Sequence, residues 1–235
     1  MKRDVFVETY SVVALRNAVK EAVEAGKGYP AMVMAYGEAG TGKTLAAQSL
    51  YSELGGLYVR AFEGMTLTAF LQDICNVVCK ERPNTTNRCR NSLISKLNNK
   101  GITLFVDEAD RLHVSCMEAL RDLHDITGSP VVYIGEMGLP SRVNARSRIN
   151  DRIPDSFRVH FEGITKSDVA MFAQEAADLM LSPEAAAFIH ADTNGNFRRV
   201  HNAVLTLERA AKVKGVSEVD SDFVKAAMKQ KRERK

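Results

Sequence analysis

The segment GEAGTGKT, residues 37–44, combines glycines, a lysine and a hydroxyl residue at a spacing that suits phosphate binding. It fits the pattern Gly-x-x-x-x-Gly-Lys-Ser/Thr and stands between a short apolar run and a helical pattern, the context that this motif requires. Glycines let backbone N–H groups curl around phosphate oxygens at a helix N-terminus, where the helix dipole favours negative charge. The sequence therefore predicts a nucleoside triphosphate site at this loop, here called the P-loop.

Further residues of the P-loop and of a later strand complete the predicted chemistry. Lys43 is expected to reach the β- and γ-phosphates, and the Thr44 hydroxyl to bind Mg²⁺. The second metal ligand should be an acid at the end of a neighbouring buried strand, and ITLFVDE supplies it as Asp107. Glu108 follows and is predicted to deprotonate an attacking water. The predicted cofactors are ATP and Mg²⁺, with Thr44 and Asp107 as metal ligands. The predicted nucleotide contacts are Gly37, Glu38, Ala39, Gly40, Thr41, Gly42, Lys43, Thr44, Leu45 and Asp107.

Alternating strand and helix patterns are expected to position these residues. Apolar runs predict strands at 31–37, 56–62, 101–110, 130–136 and 157–163, and helical spacing predicts helices at 11–26, 41–54, 67–80, 88–100 and 115–127. Such alternation indicates an α/β class with a parallel sheet, helices on both faces and ligands at the carboxyl ends of the strands. Beyond residue 163 only helical patterns appear. We expect a P-loop α/β domain over 1–161 and a small all-helical lid over 162–235, with disorder only at the chain ends.

Composition excludes several classes of protein. The chain has 235 residues, 45% hydrophobic and 26% charged, which is typical of a globular protein with a full core. No apolar stretch reaches the roughly 18–20 residues of a membrane span, and the N-terminus lacks a signal-peptide pattern, so we expect a cytoplasmic protein without a membrane partner. Four cysteines without Cys-x-x-Cys spacing favour buried free thiols over a zinc site or disulfides.

Positive charge is distributed unevenly along the chain. The net charge of +3 does not by itself indicate nucleic acid, but residues 80–100 hold six cationic side chains and one acidic one. This segment is either a solvated basic helix or a surface for phosphate backbones, and the basic residues at 225–235 favour a solvated end. Contacts to a phosphate backbone carry no sequence information. The candidate DNA contacts are Met65, Thr66, Arg82, Arg88, Arg90 and Lys96.

Two further stretches contain arginines, whose planar guanidinium group suits phosphate and carboxylate oxygens. GNFRR opens a predicted lid helix, so Arg198 could reach a phosphate, the alternative being an ordinary surface arginine. RSRINDR, residues 146–152, follows the fourth strand, and no phosphate of its own chain remains for it. Its anion should belong to a neighbouring subunit, unless all three arginines bind carboxylates within the chain.

The segments GEAGTGKT, LFVDEAD, YIGE, RSRINDR and GNFRR follow one another as in the AAA+ ATPases, and the chain resembles that family over nearly all of its length. Within the family, FVET before the first helix, VDEADRL and SRINDR resemble phage Mu transposition protein B and the TnsC-type transposition regulators. This resemblance implies an ATP-dependent, non-sequence-specific DNA-binding protein that forms helical filaments on duplex DNA, hydrolyses ATP and activates a transposase.

The resemblance also implies roles for particular residues. It places an arginine that acts on the neighbouring subunit's ATP at SRI, so Arg148 is the first candidate and Arg152 the second, with Asp151 holding one of them in an ion pair. It adds Phe6 and Val7 to the nucleotide contacts. Glu136 occupies the position where the family has a small polar residue that holds the attacking water.

The sequence departs from the family pattern in two places. A carboxylate at Glu136 would be repelled by a triphosphate unless an arginine pairs with it, so slow hydrolysis is expected. FVET begins almost at the N-terminus, so an appended helix-turn-helix domain is not expected and DNA contacts must come from the ATPase core. Two alternative functions remain: a helicase-loader-like or partner-remodelling ATPase, and a nucleotide-gated scaffold with little turnover.

Overall fold

The computed structural model describes residue 2, residues 5–98 and residues 100–233, so the last two residues of the basic tail lie outside the described part. The chain divides into two compact units. The α/β unit comprises Ser11–Gly37 and Lys43–Phe161, and the lid unit comprises the chain before Ser11, Glu38–Gly42 and the chain from Glu162. Within the described residues, every helix is too short or too polar to cross a membrane.

Helices and strands alternate through the α/β unit and give way to helices in the lid unit. The strands are β1 (Met32–Gly37), β2 (Leu57–Arg60), β3 (Leu104–Asp107), β4 (Val131–Gly135), β5 (Arg158–Phe161), β6 (Met180–Leu181) and β7 (Glu218–Val219). The helices are α1 (Tyr10–Ala25), α2 (Lys43–Leu54), α3 (Leu67–Val78), α4 (Thr86–Leu97), α5 (Val114–Thr127), α6 (Leu139–Asn144), α7 (Ser147–Asn150), α8 (Lys166–Ala177), α9 (Pro183–Thr193), α10 (Phe197–Lys214) and α11 (Ser221–Glu233). One-turn 3-10 helices follow β3 and precede β5.

The α/β unit contains a five-stranded sheet in the order β2-β3-β4-β1-β5, with every neighbouring pair parallel. All residues of β3 and β4 are buried, as expected for strands covered on both faces. Because parallel strands end at the same edge, Gly37, Arg60, Asp107 and Gly135 gather along one side of the sheet. The predicted P-loop α/β class is confirmed.

Helices α3, α4 and α5 pack with the sheet around the main hydrophobic core. Thr66 caps α3 by accepting a hydrogen bond from the Ala69 N–H, and Gly128 ends α5 in the left-handed conformation. The four cysteines are buried and free in this unit, which confirms the sequence prediction. Burial raises the pKa of the Cys75, Cys79 and Cys116 thiols, so they stay neutral and behave as small apolar side chains.

Helices α8 to α11 form a separate core in the lid unit, which also includes Val7. The lid contains more than helices, because β6 and β7 pair in parallel, with Met180 opposite Glu218. Two-residue strands are too short to show an alternating pattern, so the sequence predicted helices alone. Helix α11 extends to Glu233, where disorder was expected, and α6 and α7 were not predicted because they span only six and four residues.

Candidate nucleotide-binding site

Lys43 belongs to the P-loop, is the first residue of α2 and is buried in the α/β unit. Its Nζ donates a hydrogen bond to the carbonyl oxygen of Gly37 at 2.9 Å. Burial lowers the pKa of the Lys43 ammonium, while the carboxylates of Glu136 and Asp107 act in the opposite direction and favour its charged form. A cation in this position, among strand-end acids, has the charge and the reach to bind phosphate oxygens.

Thr44 and Asp107 meet across the sheet edge. The Thr44 hydroxyl lies 3.2 Å from both carboxylate oxygens of Asp107, which is buried. The Tyr58 hydroxyl donates to the same carboxylate at 2.9 Å, and burial together with this carboxylate raises the pKa of Tyr58. A hydroxyl and a carboxylate held side by side are oxygen donors of the kind that Mg²⁺ prefers, so the two residues fit the predicted metal ligands.

Glu108 does not point freely into solvent. Its backbone has φ 56°, a left-handed conformation that few non-glycine residues adopt, and its N–H donates to Asp107 at 3.0 Å. Its carboxylate forms ion pairs with Arg60 at 3.0 Å and with Arg111 at 3.3 Å. These two guanidinium groups occupy the oxygens that a general base would need, so Glu108 is restrained in this conformation.

Glu136 follows β4 with an exposed side chain, and its backbone N–H donates to Asp110 at 3.0 Å. A Cβ at Gly135 would lie 2.6 Å from the same Asp110 carboxylate, so any larger residue there would displace the Asp110 side chain. Asp110 thus fixes the end of β4 to the turn after β3. The carboxylate of Glu136 is the largest Coulomb influence that favours the charged form of Lys43, and it forms no ion pair with an arginine among the described residues.

The tip of the P-loop belongs to the lid unit together with the start of α10. Asn196 caps α10 through Oδ1, and its Nδ2 donates to the Ala39 carbonyl at 2.7 Å. The Arg198 N–H donates to the Gly40 carbonyl at 3.0 Å, while the Arg198 side chain is exposed. Gly40 has φ +85°, and a Cβ there would lie 2.7 Å from Asn196, so this contact depends on the glycine.

The remaining predicted nucleotide contacts lie in different environments. Phe6 is half-buried, and Val7 is buried in the lid core. Leu45 is an exposed residue of α2. Glu38 and Ala39 are exposed, whereas Thr41 is buried, with its hydroxyl donating to the Glu38 carbonyl at 2.9 Å. The P-loop is therefore tied internally as well as to α10.

The arginines of RSRINDR separate into two kinds, because Arg152 is bound within the chain whereas Arg146 and Arg148 are exposed and have no ion pair among the described residues. Arg152 forms two hydrogen bonds with Asp125 of α5, at 3.1 and 2.9 Å. The expected ion pair with Asp151 is absent among the described residues, because Asp125 takes that role across the fold. Arg148 is exposed on α7 and has no ion pair within the described part of the chain. Arg152 therefore fits the interpretation of an arginine bound within its own chain, and Arg148 fits that of an arginine available to another.

The candidate DNA contacts also differ in availability. Met65 packs partly against the main core, and Thr66 is engaged as the cap of α3. Arg82 pairs with Asp73 at 3.4 Å and Arg90 with Asp122 at 3.3 Å. The remaining two candidate contacts, Arg88 and Lys96, are exposed on α4 and show no ion pair among the residues described.

Comparison with known proteins defines the class. Residues 27–143 match the family model described as AAA domain. A Staphylococcus aureus protein described as a potential ATP-binding protein is 26% identical over 133 residues, which cover 53% of this chain and 48% of the relative, so the chain spans about half of that relative's length. The matched segment, just under half of the chain, is similar to the AAA domain, and the fold is that of the P-loop AAA+ ATPases.

Solved structures share this fold over almost the whole chain. The Aeropyrum pernix ORC2 protein, solved with ADPNP and ADP, has a TM-score of 0.68 and 16% identity, covering 97% of this chain and 68% of that one. The Aeropyrum pernix ORC1 protein in complex with DNA has a TM-score of 0.65 and 20% identity, covering 97% of this chain and 66% of that one. At these identities the similarity shows the fold alone.

The sequence did not predict several residues that shape the site. These residues are Tyr58, Arg60, Asp110, Arg111 and Asn196, each joined to a predicted residue by a hydrogen bond or ion pair. Arg60 ends β2 at the same edge as Asp107, so the position of a charged residue at a strand end was an available signal. Asp110 and Arg111 lie in VDEADRL and Asn196 lies in GNFRR, but neither motif by itself indicates these contacts.

Proposed function

We propose that this protein is a Mg²⁺-dependent ATPase whose turnover depends on assembly. One observation carries the proposal. The hydroxyl of Thr44, at the end of the P-loop and in the first turn of α2, lies 3.2 Å from the Asp107 carboxylate. Lys43 and the P-loop N–H groups would bind the phosphates, and Thr44 with Asp107 would hold the metal, which neutralises charge on the phosphate oxygens. Arg198 is the lid residue proposed to contact a phosphate.

The chemical step needs a base and a cation that the isolated chain does not offer freely. Glu108 would take a proton from water once its carboxylate leaves Arg60 and Arg111. Arg148 would neutralise charge developing on a neighbour's triphosphate, an effect worth about 10³ to 10⁵ in rate for arginines supplied in trans. Both requirements make hydrolysis slow in the free subunit and faster in an oligomer.

Duplex DNA is the proposed platform for assembly. Arg88 and Lys96 are exposed on α4 and suit phosphate contacts that are independent of sequence. The DNA-bound ORC1 protein shows that a chain with this fold can bind DNA, which supports the proposal without identifying the contact residues. On the strength of FVET, VDEADRL and SRINDR we further propose filament formation on DNA and regulation of a transposase.

Mixing two variants tests the assembly-dependent ATPase. Arg148→Ala keeps an intact P-loop but lacks the arginine proposed to act on the neighbouring subunit. Glu108→Gln keeps Arg148 but lacks the carboxylate proposed as the general base. ATPase activity is measured for each variant and for mixtures, with and without duplex DNA, and negative-stain microscopy records filaments. We expect DNA-stimulated activity in the mixture that neither variant shows alone. Activity no greater than the sum of the two would reject Arg148 as a residue acting between subunits.

A test for the transposition role uses purified transposase from a candidate element. We expect the ATP-bound protein on DNA to stimulate strand transfer into that DNA, whereas Lys43→Ala should not. Strong DNA-stimulated ATPase activity without any effect on transposases would favour a partner-remodelling ATPase, and DNA-dependent assembly with negligible turnover would favour a nucleotide-gated scaffold.

A further inference from the structure

Arg158, the first residue of β5, directs its whole guanidinium group at the segment that carries Arg148. Nη1 donates to Asn144 Oδ1 at 3.1 Å, and Nη2 donates to Asn150 Oδ1 at 2.8 Å. Nε and Nη2 also donate to the Ile153 carbonyl at 3.3 and 3.2 Å. Asn144 is the last residue of α6, Asn150 is the last residue of α7, and Ile153 follows α7, so a single side chain binds the chain before α7 and the C-terminal end of α7.

The position of Arg158 in the sheet makes this contact a rigid one. Its backbone pairs with Met34 in the middle of β1, and its side chain is only 18% exposed. An arginine offers five N–H donors in a fixed plane, which lets one residue orient several acceptors at once. Helix α7 has only four residues and cannot hold its own orientation, because isolated short helices are unstable in water.

The acceptors indicate positioning and not charge neutralisation. Five hydrogen bonds go to neutral amide or carbonyl oxygens, and the one carboxylate, Asp155, lies 3.5 Å away and is fully exposed. Asp125 of α5 also binds this segment, through Arg152. Arg148 lies between Asn144 and these C-terminal contacts, and its own side chain is exposed.

We infer that Arg158 is a positioning residue that sets the direction in which Arg148 is presented to a neighbouring subunit. The inference rests on the proposed function, because it matters only if Arg148 acts in trans. Removing Arg158 would leave the charge of Arg148 in place but let α7 tilt. Catalytic groups are sensitive to such shifts, and a misplacement of about 1 Å can lower a rate by about 10²-fold.

A double-mutant cycle in the full chain tests this role. DNA-stimulated kcat and nucleotide affinity are measured for Arg158→Ala, Arg158→Lys, Arg148→Ala and the Arg148→Ala/Arg158→Ala pair. We expect Arg158→Ala to lower kcat by about 10- to 100-fold, with nucleotide affinity within about twofold of the original. Lysine should not restore activity, since it keeps the charge but lacks the planar fork. The double variant should be no slower than Arg148→Ala alone.

Arg16→Ala serves as the matched control, because Arg16 is a comparably buried arginine, 20% exposed, that pairs with Glu53 outside this segment. It should lower thermal stability without changing kcat. Mixing Arg158→Ala with Glu108→Gln should restore hydrolysis, since the Arg158→Ala subunit keeps its own ATP site.

Four results would overturn the inference. Loss of nucleotide binding in Arg158→Ala, or failure of mixing to restore activity while Arg148→Ala is restored, would place its effect inside its own subunit. Additive losses in the double variant would show that Arg158 acts independently of Arg148. A wild-type rate for Arg148→Ala would reject the trans arginine itself, and the positioning role with it.

Discussion

The end of β3 and the segment from α6 to α7 are both rich in charge, yet they treat it in opposite ways. At the end of β3, Asp107 binds Thr44 and Tyr58, and Glu108 is paired with two arginines. Arg146 and Arg148, between α6 and the end of α7, are exposed, while Arg152 and Arg158 beyond α7 are bound within the chain. The charges at the end of β3 are therefore paired inside the subunit, whereas part of the charge near α7 faces outward.

The largest expected effect is a loss of hydrolysis without a loss of ATP binding when Glu108, at the end of β3, is replaced. Glu108→Gln should lower kcat by about 10² to 10⁴, the usual contribution of a general base, while ATP still binds. Lys43→Ala should instead weaken binding, since it removes the buried ammonium beside the P-loop. Equilibrium binding of a fluorescent ATP analogue and single-turnover hydrolysis measure the two quantities. Similar losses of affinity in both variants would contradict the role given to Glu108.

The next effect concerns α4 and DNA. Arg88→Ala combined with Lys96→Ala should weaken binding to all duplex sequences alike, and the slope of log affinity against log salt should become shallower by about 2. Fluorescence anisotropy over a salt series provides the measurement. Arg82→Ala is the control, because Arg82 is already paired with Asp73, and its effect should be smaller. An unchanged slope in the double variant would exclude direct phosphate contacts at these two residues.

A smaller effect is expected from releasing Glu108. Arg60 is 58% exposed, and an exposed ion pair contributes at most about 1 kcal/mol, so Arg60→Ala should raise ATPase activity without DNA by no more than about fivefold. Stimulation by DNA should shrink correspondingly. Arg111→Ala, which removes the other partner, should act in the same direction. Reduced basal activity in both variants would show that the two arginines support Glu108 and do not restrain it.

The smallest effect concerns the anchor of Arg152 on α5. Burial acts to raise the pKa of Asp125, but hydrogen bonds from Arg152 and Arg121 outweigh it and hold the pKa below its ordinary value. A lowered carboxyl pKa contributes stability above the ordinary value, near 3.9, and this contribution is lost as the pH falls through the folded-state pKa. Asp125→Asn should therefore cost under about 1 kcal/mol at pH 7, and urea denaturation should show the difference shrinking below about pH 4. A difference that stays constant with pH would point to packing instead of charge.

Local sequence patterns determined the P-loop, the strand that ends in Asp107 and Glu108, and the parallel α/β class. Each of these features is written in consecutive residues, because backbone N–H groups, strand alternation and helix starts depend on near neighbours. The sheet then follows from alternation of strands and helices, which brings the carboxyl ends of parallel strands to one edge. The two-residue strands of the lid are too short for such patterns to predict.

Tertiary structure decided which charges are paired between residues far apart in the chain. Arg60 and Glu108 are 48 residues apart, Asp125 and Arg152 are 27 apart, and Asn196 reaches Ala39 across 157 residues. The motif RSRINDR does not show which of its arginines are paired, yet folding placed Asp125 beside Arg152 and left Arg146 and Arg148 exposed. The physical reason is that an ion pair depends on the distance between two side chains, and for residues far apart in the chain that distance is set only when the whole unit packs.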